Sequence, residues 1–474
     1  MSNKDFNLDN DAFSDDFFSG LLSRFEQMYN EKDYTFFDSD ELEEIINYYL
    51  TTEELSYAEY AIEIALKQFP NSTEFLCFHA QCIHLQGESD KAIELLNELE
   101  DANPETIEIF ILLGEIFRDT GKSVQSIRYF EKALSLADEE EVADIVEQII
   151  DSLYESGQHN RIIPYYKKLL KIQPNNSSAM SGLAFCFTML NREEEGIHFF
   201  QKIIENNHFN EIAWFCLGNL FFDCDLYEKS IEAFDYVLAI EPNYTTASIK
   251  KGYAYISLKN IDDAINIFVE LLNTEDDDFS IYIYLAYCYS LKGDYNTSLD
   301  YYLKVIEIDP EMTEAHIGIG YGYAELGQYD FALKHIRIVL DDYEDSDEIW
   351  EYRAFLEEKV GLFTDACMSF DKCIELNPEN TTARLDYSSL LIDELDDFER
   401  AKAVIDEGLK FDTMDVHLIY RMAAIHFEAG LEQEATQWLH TALAIDKQSI
   451  QLLYDYSPQL LLYPKITEII SLYN

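Results

Sequence analysis

Positive charge is scarce in this chain. Its 474 residues hold 33 lysines and arginines against 92 aspartates and glutamates, a formal net charge of −59. A nucleic-acid-binding surface gains affinity by neutralising phosphates with basic side chains, and an anionic membrane attracts basic segments. A chain this acidic is expected to repel both, so no nucleic acid and no membrane is expected among its partners. Long apolar runs are missing too: no stretch of about 20 apolar residues is present, so no segment is expected to span a bilayer. The start, MSNKDFNLDNDAF, lacks the basic flank and apolar core of a secretion signal. The eight cysteines are scattered without framework spacing, which fits a reduced, cytoplasmic setting.

Motifs that carry chemistry are equally sparse. There is no phosphate-cradling glycine loop and no GxSxG nucleophile turn. Cys77, His79, Cys82 and His84 lie close in sequence. On a helix, however, Cys77 with His84 and His79 with Cys82 point to different sides, so four convergent metal ligands are not available. The acidic turns Glu275–Asp278 and Asp341–Glu348 lack the central glycine and final acidic ligand of a calcium loop. Their Asp and Ser residues read instead as helix caps. No metal, no cofactor and no catalysis is expected.

Proline is rare as well, with nine in the chain, and six of them share one offset: Pro70, Pro104, Pro174, Pro242, Pro310 and Pro378. That offset belongs to a 34-residue pattern repeated twelve times between Ser39 and Ser449, over about nine tenths of the chain. Such a period marks small units that cannot bury their apolar faces alone and must stack. The copies begin at Ser39, Thr73, Ile107, Ala143, Ser177, Glu211, Thr245, Phe279, Thr313, Asp347, Thr381 and Val416. Position 8 is small in ten copies, as at Ala80, Gly218 and Ala354, and position 20 is small in eleven, as at Ala58, Ser230 and Ala435. Two small residues at fixed offsets let a pair of helices approach closely. Position 24 is large and apolar, as at Phe130, Tyr166, Phe234 and Tyr302, and fills the wedge between pairs. Glycine follows the first helix at Gly87, Gly121, Gly157, Gly293, Gly327, Gly361 and Gly430, where a left-handed helix end is predicted.

These residues resemble the tetratricopeptide-repeat (TPR) family. Trp214, Leu217, Gly218, Phe221, Ser230, Phe234 and Pro242 stand where that consensus has its Trp, Leu, Gly, Tyr, Ala, Phe and Pro. The resemblance implies an all-α solenoid: antiparallel helix pairs wound into a right-handed superhelix, whose first helices line a concave groove that holds another protein or a peptide. The 35-residue RNA-binding helical repeats are a neighbouring pattern, disfavoured by the charge.

In the family, positions 2, 5, 9 and 12 of the first helix face the groove. By that correspondence the early repeats offer an acidic groove: Asp40, Glu43, Glu74, Glu108, Glu115, Asp144, Glu147 and Asp151. The middle repeats offer an apolar and tyrosine-rich stretch: Phe215, Asn219, Phe222, Ile249, Tyr253, Ile256, Ile283, Tyr287, Ile317, Tyr321 and Phe355. The expected ligand is therefore a protein or peptide with a basic stretch and an apolar or aromatic one. Tight winding that buries the tyrosines against neighbouring helices is the competing reading. The family's clamp for a C-terminal carboxylate needs paired Lys, Asn and Arg on successive helices; Asn47 and Asn219 are isolated and have no basic neighbours.

Two irregularities stand out. In the fourth repeat Ile150 and Ile162 occupy the small-residue offsets, Pro164 lies near the start of the second helix, and two extra residues precede the repeat around Asp138–Glu141. Looser packing or a bend is expected there, with local repacking as the alternative. A single inserted residue near Leu395–Phe398 is milder. Residues 1–38 read as a disordered start followed by a capping helix with an apolar stripe (Phe17, Phe18, Leu21, Leu22, Phe25, Met28, Tyr29). Residues 450–474 read as C-terminal capping helices rich in Leu460, Leu461, Leu462, Ile466, Ile469 and Ile470. Either end could instead be a self-association contact, giving a homo-oligomer.

Overall fold

A computed structural model describes residues 8–32, 35–138, 141–273 and 279–473. Every regular element among them is helical, and none is a strand. The first helices of the repeats begin at Ser39, Thr73, Ile107, Val142, Ser177, Glu211, Thr245, Ser280, Thr313, Asp347, Thr381 and Val416. These starts agree with the sequence phase to within one residue. The second helices follow after short turns, from Leu55–Gln68 in the first repeat to Glu432–Ile445 in the twelfth. The chain divides into two compact units, Met1–Ala247 and Ser248–Asn474.

The turns explain the regularity. Each of the twelve repeats carries one residue with positive φ directly after its first helix. Seven are the expected glycines, with φ between 67° and 87°; the other five are Glu53, Asn191, Asp225, Lys259 and Asp396, with φ between 51° and 60°. The backbone needs this left-handed step to reverse, and the repeats without glycine adopt it at a steric cost. The next first helix is capped from the turn: Ser72, Asn176, Asn210, Ser346, Asn380 and Asp415 each accept a hydrogen bond from a backbone N–H of the opening turn. Ser346 fills this role within the acidic stretch Asp341–Glu348, while the Glu275–Asp278 turn lies outside the described residues.

In the third and sixth repeats, the side chain at position 24 packs on the glycine at position 8 of its own repeat. A Cβ on Gly114 would come within 2.7 Å of Phe130, and one on Gly218 within 2.6 Å of Phe234. The fourth repeat departs from this. Ile150 blocks the slot, and Tyr166 reaches forward to the fifth repeat, where a Cβ on Gly182 would lie 2.2 Å from its hydroxyl. Ile150 and Ile162 are buried in one large core with Ile149, Ile163 and Leu183. The expected loosening is thus replaced by repacking. The change appears in the backbone instead: a 3-10 turn, His159–Arg161, precedes a second helix of only 10 residues, Ile163–Ile172. At the N-terminal end the helix Leu8–Glu31 buries Leu21, Phe25 and Met28 with Ile45, Ile46 and Tyr49 of the first repeat. Residues 1–7 and the Phe17 side chain lie outside the described residues.

The second unit uses the same two arrangements. Phe268 packs on Gly252 within 2.4 Å of a would-be Cβ, whereas Tyr302 of the eighth repeat packs on Gly318 of the ninth at 2.3 Å. Between the two helices of the ninth repeat, His316 and His335 meet Nδ1 to Nδ1 at 2.8 Å, and His316 Nε2 donates to the Pro310 carbonyl at 2.9 Å. His316 Nδ1 is then the acceptor and His335 the donor. At the C-terminal end Leu460, Ile466 and Ile469 are buried with the twelfth-repeat core. Leu461 (60%), Leu462 (88%) and Leu472 (74%) stand exposed.

Candidate functional site

In the first unit, four of the expected acidic residues converge. Glu43, Glu74, Glu108 and Glu115, from the first helices of three successive repeats, line a cavity of about 610 Å³ whose apolar side is Phe78, Ile111 and Leu112. Desolvation, then the neighbouring Glu43, Glu108 and Asp40 carboxylates, push the Glu74 carboxyl up from its ordinary value. Desolvation also raises Glu115, partly offset by Arg118. A pocket lined by several carboxylates and, among the described residues, by no lysine or arginine favours a positively charged visitor. Asp144, Glu147 and Asp151, on the next first helix, are exposed and do not line the cavity.

The remaining expected residues of this unit serve packing more than presentation. Phe215 stacks on Tyr244 with ring centroids 5.2 Å apart, and Phe222 meets Tyr227 edge-on at 5.3 Å. Asn219 is half-buried. Phe185 stands at the same offset as Asn219 in the preceding repeat and is 53% exposed. The sequence reading passed over it because its phase neighbours are polar.

In the second unit, the expected residues separate by offset. Those at position 5 turn inward: Ile283 is 6% exposed and buried with Leu299, Tyr302 and Ile319, which removes it from any surface. Ile249 and Ile256 are partly buried against the Phe268 core, and Ile317 against the Ile336 core. Position 9 stays open. Tyr287, Tyr321 and Phe355 are 45%, 44% and 39% exposed. Tyr253, the first of the row, is half-buried against Tyr284 at 5.4 Å.

Tyr321 and Phe355 belong to a second cavity, of about 730 Å³, together with Tyr329, Tyr352, Glu325, Glu348, Glu351 and Asp386. Tyr321 stacks on Tyr352 at 4.3 Å and 29°, Tyr352 lies at 16° to Phe355 at 6.0 Å, and Tyr329 stands edge-on to Phe355 at 6.3 Å. Glu348 and Glu351 occupy offsets 2 and 5, so the family correspondence could have found them. Tyr329 comes from the second helix, Tyr329–Asp342, which a first-helix reading does not sample. Among the described residues no group of three or more His, Cys, Asp or Glu is arranged to hold a metal ion, and no helix is long and apolar enough to cross a membrane. Cys77 and Cys82 are buried, and His84 bonds Ser89 and Asp119.

Comparison with known proteins returns the same repeat. Tetratricopeptide-repeat family profiles match residues 279–312 and 109–143. Anaphase-promoting complex subunit 3 of Schizosaccharomyces pombe (strain 972 / ATCC 24843) is 21% identical over 192 residues, 40% of this chain and 29% of that one. TPR repeat-containing protein YpiA of Bacillus subtilis (strain 168) is 21% identical over 220 residues, 46% of this chain and 51% of that one. The matches therefore span about half or less of these curated relatives. Among solved structures, YrrB, a TPR protein with an unusual peptide-binding site, is 21% identical with a TM-score of 0.33, covering 39% of this chain and 95% of its own. With twelve in-phase repeats of paired helices and two profile matches inside them, the chain is a tetratricopeptide-repeat protein.

Proposed function

We propose that this protein is a non-catalytic interaction scaffold. It holds a protein or peptide segment that carries a basic stretch and an apolar or aromatic stretch. The observation that carries this reading is the open row of Tyr287, Tyr321 and Phe355, one per repeat in three successive repeats. Contiguous exposed aromatic surface is uncommon unless something covers it, and tyrosine supplies large contact area at low entropy cost. The carboxylates gathered around Glu74 support the basic part of the ligand. One relative is by name a subunit of a larger complex, in keeping with a role in assembly.

The test is the double variant Tyr287→Ala/Tyr321→Ala. A protein captured by the wild-type chain is expected to be lost from the variant, with a weakening of about 2–4 kcal/mol for central aromatic anchors. Thermal stability should fall by no more than about 1 kcal/mol, because exposed groups contribute little to the fold. A large fall in melting temperature would assign the row to the core and refute the reading.

Self-assembly is the second reading, favoured by the exposed Leu461, Leu462 and Leu472 at the C-terminal end. Light scattering separates the two. A concentration-dependent dimer that Leu462→Asp dissolves would favour self-assembly.

A further inference from the structure

The cavity around Phe355 has an unusual division of labour. Three rings, Tyr321, Tyr352 and Phe355, form one stack on one side, with successive planes inclined by only 29° and 16°. Tyr329 closes a corner edge-on, at 88° to Phe355. Apart from Ala324, the rest of the lining is carboxylate: Glu325, Glu348, Glu351 and Asp386. Among the described residues no lysine or arginine lies within ion-pair distance of any of the four. Glu351 is held in place by the Asn380 side-chain amide, which donates to it at 2.8 Å. One neighbouring cation is Lys359. It is drawn to Glu358 at 2.9 Å and lies 5.2 Å from the Phe355 ring centroid, so one ring of this stack already takes a cation.

Resting on the scaffold reading, we infer that this cavity is the seat of a cationic side chain of the partner, with an arginine guanidinium as its occupant. The chemistry on both sides selects it. A cation gains from aromatic faces, and a planar guanidinium can extend the stack by lying flat on an end ring while its N–H fork reaches carboxylates at the edge. A quaternary ammonium is best served by rings on several sides, whereas here three of the four rings are stacked on one another. A neutral apolar side chain would desolvate the carboxylates without supplying a charge to offset them. The state of Asp386 agrees: partial desolvation, with the Glu351 and Glu358 carboxylates, pushes its carboxyl up from the ordinary value, even though Lys359 and Arg421 pull it the other way.

The test uses the full chain and a pentapeptide with one central arginine among serines and glycines, titrated by NMR at about 0.15 M salt, where long-range attraction is screened. Three further peptides carry lysine, trimethyllysine or citrulline at the centre. The expected result is saturable binding of the arginine peptide, with the citrulline peptide at least tenfold weaker. Tyr321→Ala and Phe355→Ala should each lose about tenfold, Tyr321→Phe should bind as the wild type does, and Glu348→Gln/Glu351→Gln should lose three- to tenfold. Glu74→Gln, in the other unit, should change nothing.

Several results would overturn the inference: equal binding of the citrulline peptide, tighter binding of the trimethyllysine peptide, indifference to Tyr321→Ala and Phe355→Ala, or no saturable binding of any probe. Failure here is distinguishable from failure of the scaffold reading, because Tyr287 lies outside this cavity. Loss of partner capture in Tyr287→Ala with a silent pocket would leave the scaffold standing without the arginine seat.

Discussion

At the scale of single residues, glycine does two different jobs in this chain. At the repeat turns it supplies positive φ. Lys259, with φ of 60°, does the same work with a side chain that opposes it. Lys259→Gly is therefore expected to stabilise the protein by about 1 kcal/mol, the left-handed strain relieved less the extra freedom glycine gains when unfolded. Chemical denaturation of the variant checks it, and an unchanged midpoint would mean the turn relaxes elsewhere. Inside the helices, Gly182 and Gly318 make room for a tyrosine of the preceding repeat. Gly318→Ala would set a Cβ 2.3 Å from the Tyr302 ring. It should cost about 1–3 kcal/mol as overpacking, and Tyr302→Leu in the same chain should restore part of it. If Gly318→Ala melts with the wild type, the tyrosine is free to move and the slot is not specific.

At the scale of elements, the paired histidines tie the two helices of the ninth repeat to each other in a way that depends on protonation. Desolvation first, then the charges of His316 and Lys334, lower the His335 pKa from 6.5 to about 4. A depressed histidine contributes stability above its unfolded value and loses it as pH falls. Between about pH 6.5 and 4 the unfolded chain takes up a proton that the folded chain refuses, at a cost approaching about 3 kcal/mol at the acid end. Melting the wild type beside His335→Gln across that window should show the wild type losing more stability on acidification. Parallel curves would show that the ring is protonated without penalty in the fold.

This pair also marks what a sequence can and cannot convey. Helix boundaries, capping residues and the seven turn glycines were legible, because each follows from local backbone geometry repeated in phase. Which face of a first helix stays open was only partly so. Ile283 and Tyr287 are one helical turn apart, yet one is sealed and the other open, because the depth of each depends on the neighbouring repeat's side chains. Tyr329 reaches the cavity from a second helix, and no periodicity within first helices could have pointed to it.

At the scale of the whole molecule, charge is the dominant global property. Most of the ion pairs are solvent-exposed, such as Lys67–Glu63 and Lys410–Glu407, and such pairs contribute little individually. They cannot offset the mutual repulsion carried by a net −59. Raising salt from about 0.01 to 0.5 M, which shortens the Debye length from about 30 Å to a few ångströms, is expected to raise the melting temperature by several degrees. A melting temperature indifferent to salt would mean that the acidic side chains are spaced widely enough not to oppose folding. The same salt series should slow capture of a basic ligand, so stability and association would move in opposite directions.

The tyrosine that leans forward onto the next repeat's glycine has a consequence for how such an array could lengthen or shorten over generations. Tyr166 with Gly182 and Tyr302 with Gly318 stand four repeats apart. Each is a lock whose two halves lie on either side of a repeat boundary. Repeats such as the third, sixth and seventh carry their own position-8 slot and can be exchanged with it intact. A crossover between the fourth and fifth repeats, or between the eighth and ninth, would separate a tyrosine from the hole that receives it. Those two joints are places where the chain resists being cut and spliced, and viable descendants should inherit each pair together.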